Sequence, residues 1–151
     1  MPNFNQRITT FSPSPEDRQV CLKNMTSLLQ QKPEVIFAYA HGSFVQDQPI
    51  RDLDIAVYLD TSHLPENHYF YEDSLSLELA RSLETSFPID ARILNHAPIS
   101  FQYHVIQGYL LLDTDLEARI AFMEHTISRY LDMEPLLRHH IREVMESGPE
   151  S

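Results

Sequence analysis

Residues Val35 to Asp60 read VIFAYAHGSFVQDQPIRDLDIAVYLD, and this stretch decides the fold. An apolar run ends at His41-Gly42-Ser43, a polar segment follows, and Asp52-Leu53-Asp54 opens a second apolar run. In that second run Leu53, Ile55, Val57 and Leu59 alternate with Asp52, Asp54, Ala56 and Tyr58. This is the period of a β-strand, so the two acids share one face. Carboxylates at the start of a buried strand are costly unless a cation sits on them. The Gly42-Ser43 turn offers backbone N–H groups that could hold a phosphate. Together they predict a site for a metal-bound nucleoside triphosphate.

Working outward, Glu34–Ala40 and Asp52–Leu59 are predicted strands, and 42–48 is a turn that could open a short helix. Upstream, residues 1–13 show little periodicity and are expected to form a loosely held arm. Ser14 then caps a helix with Pro15 in its first turn. Val20, Met25, Leu28 and Leu29 form its apolar face, and Lys32-Pro33 ends it. Cys21 is the single cysteine, which excludes a disulfide framework, and it reads as a small core residue.

Downstream, residues 61–68 form a polar loop, and Asp73–Thr85 is a predicted helix with Leu75, Leu77, Leu79, Ala80 and Leu83 inside. Pro88–Leu94 is a third strand. There Ile89, Ala91 and Ile93 share one face, and Asp90, Arg92 and Leu94 the other. Ser100–Gln107 is helical and stops at Gly108. Tyr109–Leu112 is a short fourth strand. Thr114 is expected to cap a long helix, with Glu117 completing a capping box. Leu116, Ile120, Met123, Ile127 and Tyr130 recur on its inner stripe. Pro135 is expected to interrupt it. A helix restarting near Asp132 would bury Leu136, Leu137, Ile141 and Val144.

This order predicts one domain over 1–151, with a core at 34–112 and a helical segment at 114–146. The class is α+β: a small mixed sheet with helices packed on one face. No apolar run approaches the roughly 20 residues of a membrane span, and no signal peptide is apparent, so a cytoplasmic location is expected. The formal charge of −11, from 22 acidic and 11 basic residues, disfavours a polynucleotide substrate. It does not exclude ATP, because a divalent metal can bridge carboxylates to phosphates.

If the strand of Asp90 pairs beside the second strand, Asp52, Asp54 and Asp90 share a face. That arrangement fits two-metal phosphoryl chemistry. Arg92, on the face of Asp90, is placed to touch a phosphate or to pair with an acid. His41 either lines the nucleotide pocket or packs as a strand-end histidine. The remaining histidines, including His139-His140, lack paired zinc-ligand spacing.

The Gly-Ser, spacer, Asp-x-Asp pattern with a later strand acid resembles the nucleotidyltransferase superfamily that includes DNA polymerase beta. Within it, the small size and the segment PIDARILNHAPISFQYHVIQGYLLL are similar to the minimal nucleotidyltransferase (MNT) antitoxins. The resemblance implies that Gly42 and Ser43 contact the triphosphate. It implies that Asp52, Asp54 and Asp90 bind Mg2+, two ions in all, and that Asp90 helps deprotonate the acceptor. It further implies AMP transfer from ATP to a tyrosine hydroxyl of a HEPN-domain toxin. The alternatives are an antitoxin that masks its partner by binding alone, or a nucleotidyltransferase acting on a small-molecule hydroxyl. The spacer, Phe44 to Arg51, is shorter than is commonest in these proteins and lacks a glycine often found early in it. The loop over the triphosphate is therefore expected to have its own shape.

Overall fold

The computed structural model describes residues 10–44 and 49–147. The element order is α1 (Pro15–Gln30), β1 (Val35–His41), a single 3-10 turn at Gly42–Phe44, β2 (Leu53–Leu59), a second 3-10 turn at Thr61–His63, α2 (His68–Leu83), β3 (Ile89–Ile93), α3 (Ile99–Ile106), β4 (Tyr109–Asp113) and α4 (Leu116–Glu146). The sheet order is β3-β2-β1-β4. β1 runs antiparallel to β2 and to β4, while β2 and β3 are parallel. The sheet is therefore mixed and the class α+β, as the element order predicts.

Each strand alternates as expected, but both faces of the sheet are apolar. Leu53, Ile55, Val57 and Leu59 pack with Leu22, Met25 and Leu29 of α1 and with Leu75 and Leu79 of α2. Phe37, Tyr39 and Ala56 of the opposite face pack with Val105 and Ile106 of α3 and with Phe122 and Met123 of α4. Helices thus cover both faces, which corrects the one-face expectation. The physical reason is β1: nearly every residue of it is buried, so a single layer of helices could not cover it.

Local chemistry sets the helix boundaries. Ser14 caps α1 by accepting from the Asp17 N–H at 3.1 Å. Its buried stripe is Arg18, Leu22, Met25 and Leu29, and Val20 faces solvent instead of the core. Cys21 is half-buried against the core, and burial pushes its thiol up to about 11. α2 begins five residues before the predicted start, because Asn67 accepts from the Phe70 N–H and so caps an earlier turn. Leu77 on α2 is exposed. Thr114 is not a cap: its N–H and hydroxyl both donate to Ile36 O, extending the pairing of β4 with β1. Asp115 caps α4 by accepting from the Ala118 N–H.

α4 runs unbroken through Pro135. The proline leaves the Leu131 carbonyl without its intrahelical donor, but Leu131 is exposed and water can serve that oxygen. The first half of α4 is anchored. Arg119 Nε pairs with Asp113 Oδ2 at 2.6 Å, and Tyr130 stacks on Tyr103 of α3 with ring centroids 3.7 Å apart. Leu136, Leu137, Ile141 and Val144, expected inside, are exposed, as are Leu116, Ile120 and Ile127. Periodicity locates an apolar stripe but not what covers it. The described core is filled by the sheet and the other helices, leaving no interior for these residues.

Phe11 exchanges two backbone hydrogen bonds with Ile50, and its ring packs edge-on against Phe87. Residues 1–9, the rest of the expected arm, lie outside the described residues, as do 45–48 of the spacer and the tail from Gly148. No described helix is long and apolar enough to cross a membrane.

Candidate functional site

The site forms where β1 ends and β2 and β3 begin. Cross-strand register puts His41 opposite Asp54, and Asp54 opposite Asp90. The parallel pairing of β2 with β3 is held at its start by Leu53 N–H donating to Pro88 O at 2.9 Å. Asp52, one residue before β2, completes the group. Asp52, Asp54 and Asp90 each place a carboxylate oxygen within 4.8 Å of the others. Among the described residues these three form the one such cluster of potential metal ligands.

This geometry is electrostatically expensive without a cation. Burial, followed by repulsion from Asp52 and Asp90, pushes the Asp54 carboxyl up to about 7. Three converging carboxylates, with Asp54 held above its usual range, supply oxygen donors of the kind a hard divalent cation such as Mg2+ takes. Arg92 Nε lies 3.4 Å from Asp90 Oδ2 and partly offsets the negative charge. It therefore takes the ion-pair role that the sequence left open, while also lining the cavity beside the acids.

Gly42 has φ +79°, a conformation that side chains rarely adopt. A Cβ there would lie 2.6 Å from Asp54 Oδ2. The glycine thus brings the turn's backbone directly against the acid cluster, as a triphosphate bridging the two would require. Ser43 follows in the same 3-10 turn and is half-buried. The turn is braced from below by Arg18, a buried cation whose Nη1 donates to Phe44 O at 2.6 Å and whose Nε donates to Pro13 O. The same guanidinium lies over the Phe44 ring.

A cavity of about 340 Å3 opens on the acids, lined by His41, Asp54, Asp90, Arg92, Phe101 and His104. His41 is buried, and its Nε2 has no hydrogen-bond partner among the described residues. Burial, reinforced by His104, pushes its pKa down to about 4, so the ring is neutral near pH 7. The rings of Phe101 and His104 meet it edge-on at 5.4 and 5.5 Å. Of the two roles the sequence left to His41, the structure shows the packed strand-end residue, and its ring also lines this cavity. Phe101 and His104 were not singled out. Their three-residue spacing on α3 puts them on one helix face, which was the available signal. Arg18 was missed because a charged residue does not register as part of an apolar stripe.

A mixed sheet carrying converging acids beside a glycine turn defines the nucleotidyltransferase class of fold. The family described as Polymerase beta, Nucleotidyltransferase matches residues 23–117, and the chain belongs to it. No curated protein matches the chain. Among solved structures, the chain is similar to one in a complex of a tri-AMPylated Shewanella oneidensis HEPN toxin with MNT antitoxin. The TM-score is 0.66 at 23% identity, covering 85% of this chain and 98% of that one. It is likewise similar to a chain of the toxin–antitoxin MntA-HepT, with TM-score 0.65 at 22% identity, covering 84% and 98%. A toxin–antitoxin structure with AMP-PNP gives TM-score 0.63 at 24% identity, covering 87% and 99%. At such identities these likenesses establish a shared fold.

Proposed function

We propose that this protein is an adenylyltransferase that moves AMP from ATP to a tyrosine hydroxyl of a HEPN-domain partner, acting as the antitoxin of the pair. The observation that carries the reading is the convergence of Asp52, Asp54 and Asp90 beside the Gly42 backbone. The similar structures that contain an AMPylated HEPN toxin, or AMP-PNP, support the nucleotide and the partner.

In this reading Gly42 and Ser43 hold the β- and γ-phosphates, and Asp52, Asp54 and Asp90 hold Mg2+. Bound Mg2+ would neutralise the carboxylates and the triphosphate and favour departure of pyrophosphate. The acceptor oxygen forms a bond to the α-phosphorus while the bond from that phosphorus to the bridging oxygen breaks. The bond's electron pair leaves with pyrophosphate, and the phenolic proton passes to Asp90. His41, uncharged and buried, excludes water from the inner wall. Arg92 keeps Asp90 oriented.

The test is incubation with labelled ATP, Mg2+ and the HEPN protein encoded beside this one. Label is expected on a partner tyrosine and is expected to vanish in the Asp52→Asn, Asp54→Asn double variant. Absence of transfer by the unaltered protein overturns the reading. The exposed apolar residues of α4 favour a second one, in which the partner is silenced by binding alone. Full neutralisation by the double variant, without label, would establish it. Transfer to a small-molecule hydroxyl but not to the partner would identify a different acceptor.

A further inference from the structure

A second cavity, of about 750 Å3, lies beyond β3 and shares Arg92 and Phe101 with the cavity over the acids. The first turn of α2 forms one wall and the β3–α3 turn the other. Both walls are fixed. Asn95 donates to Leu59 O and accepts from its N–H, taking the place of a strand neighbour. Buried Gln102 donates to Leu94 O and Asn95 O. On the opposite wall Glu72 Oε2 accepts from the Ile93 N–H, and further along α2 Ser76 Oγ accepts from the Ala91 N–H, the two amides that β3 leaves unpaired as an edge strand. A visiting chain therefore cannot add to the sheet there and must enter by its side chains.

We infer that this cavity is the acceptor subsite, receiving a tyrosine-bearing segment of the partner protein. The inference rests on the proposed AMP transfer. In-line displacement requires the nucleophile to approach opposite the leaving group. Pyrophosphate belongs with Gly42 at the end of β1, Asp54 lies next on β2, and Asp90 and Arg92 follow on β3. The acceptor must then come from the β3 flank, where this cavity opens. The cavity meets the acid site at Arg92 and Phe101, the two residues the cavities share, and Asp90 lies two residues before Arg92 on β3. A phenol passing between Arg92 and Phe101 would approach Asp90 with its hydroxyl leading, its proton passing to that carboxylate as the oxygen–phosphorus bond forms and the bond to pyrophosphate breaks.

The lining suits a neutral aromatic side chain. His68 and His96 face each other across the cavity with planes 13° apart and centroids 6.4 Å apart. Tyr69 and Phe101 add aromatic surface. Glu66 and Glu72 oppose a phosphate-bearing occupant, and the one arginine on the wall is already paired with Asp90. The volume exceeds what one side chain needs, so flanking residues of the segment fit as well. Across the His96–Pro98 turn lies a further cleft, of about 900 Å3, reaching Met133 and Leu137 of α4. The two clefts share His96, Ala97 and Pro98, so a segment seated in the first could extend toward α4.

Two measurements test this. First, the His68→Ala, His96→Ala variant is assayed for AMP transfer, and its Mg-ATP affinity is measured by calorimetry. Expected is a roughly tenfold rise in KM for the partner, with ATP affinity within about twofold of the unaltered protein. An unchanged KM for the partner overturns the inference. A parallel loss of ATP affinity also overturns it and makes the cavity the adenine site. Second, benzoylphenylalanine replaces Tyr69, and the complex with the partner is photo-crosslinked and mapped by mass spectrometry. Attachment to a tyrosine-containing partner peptide supports the subsite even if no AMP is transferred, which separates its fate from that of the proposed reaction. Attachment elsewhere, or none, rejects it.

Discussion

The two flanks of Asp54 are built differently. On the β1 flank the contact surface is backbone: Gly42 in a left-handed turn, with its end tied down by Arg18 and packed on the Phe44–Phe87–Phe11 aromatic group. On the β3 flank it is side chains: a partly exposed Arg92, two imidazoles and the aromatic rings around them. A phosphate is the same in every nucleotide and is met well by fixed amides. A protein acceptor differs from one partner to the next, and side chains can change without disturbing the sheet. Under the proposed transfer, the difference would separate what every reaction cycle shares from what sets specificity.

That contrast can be broken at several points, beginning with the shared hinge between the flanks. Asp54→Asn should lower AMP transfer by about a thousandfold or more, a loss of the size seen when a group stabilising transition-state charge is removed. Single-turnover assays would read it, and loss of only a fewfold would mean that Asp54 is not a ligand. Gly42→Ala should follow, since its methyl group collides with Asp54 Oδ2 and strains a left-handed backbone. It should weaken Mg-ATP binding at least tenfold by calorimetry while leaving the partner complex intact on gel filtration. Binding unchanged from the unaltered protein would show that the turn does not hold phosphate.

Arg18→Ala separates bracing from chemistry. It strands the buried Phe44 carbonyl and should cost about 2 kcal/mol in denaturant unfolding. Arg18→Lys should recover only part of this, because an ammonium cannot match the guanidinium's fork. Full recovery would reduce the role of Arg18 to that of a simple charge. The smallest effect is on pH dependence without metal. A carboxyl held at about 7 in the fold favours folding while protonated, and that contribution is lost as pH rises from about 4 through about 7. Asp54→Asn should therefore melt roughly 2–4 °C higher than the unaltered protein at pH 8, with the gap closing toward pH 4. An equal gap at both pH values would refute the assignment of that carboxyl.

Much of the β1 flank was legible in the sequence, because local pattern encodes it. Alternation placed Asp52 and Asp54 on one face, and the glycine marked the turn. The strand of Asp90 was equally readable, although its parallel pairing with β2 was only a condition until the structure supplied it. What stayed hidden depends on contacts distant in sequence. Arg18 lies on the buried stripe of α1 in phase with Leu22, Met25 and Leu29, yet hydropathy assigned that face to Val20. Asn95 and Gln102 look like ordinary loop and helix polar residues until their partners, Leu59 O and Leu94 O, are known. The stripe of α4 was legible only in part, for the opposite reason: it packs inward at Met123 and Tyr130, while Leu116, Ile120 and Ile127 are exposed. Its period was read correctly, but a period does not report which face meets protein and which meets water.

The unbroken course of α4 past Pro135 makes one helix behave as two under hydrogen exchange. Amides up to about Tyr130 sit in a segment pinned by the Asp113 ion pair and the Tyr103 stack, so they open only at a large fraction of the global cost. Beyond the proline, the turns holding Leu137, Ile141 and Val144 have exposed side chains, and their amides should exchange through local fraying near zero cost. Pro135 itself has no amide proton, so the border between the fast and slow halves falls on a residue that is silent in the measurement.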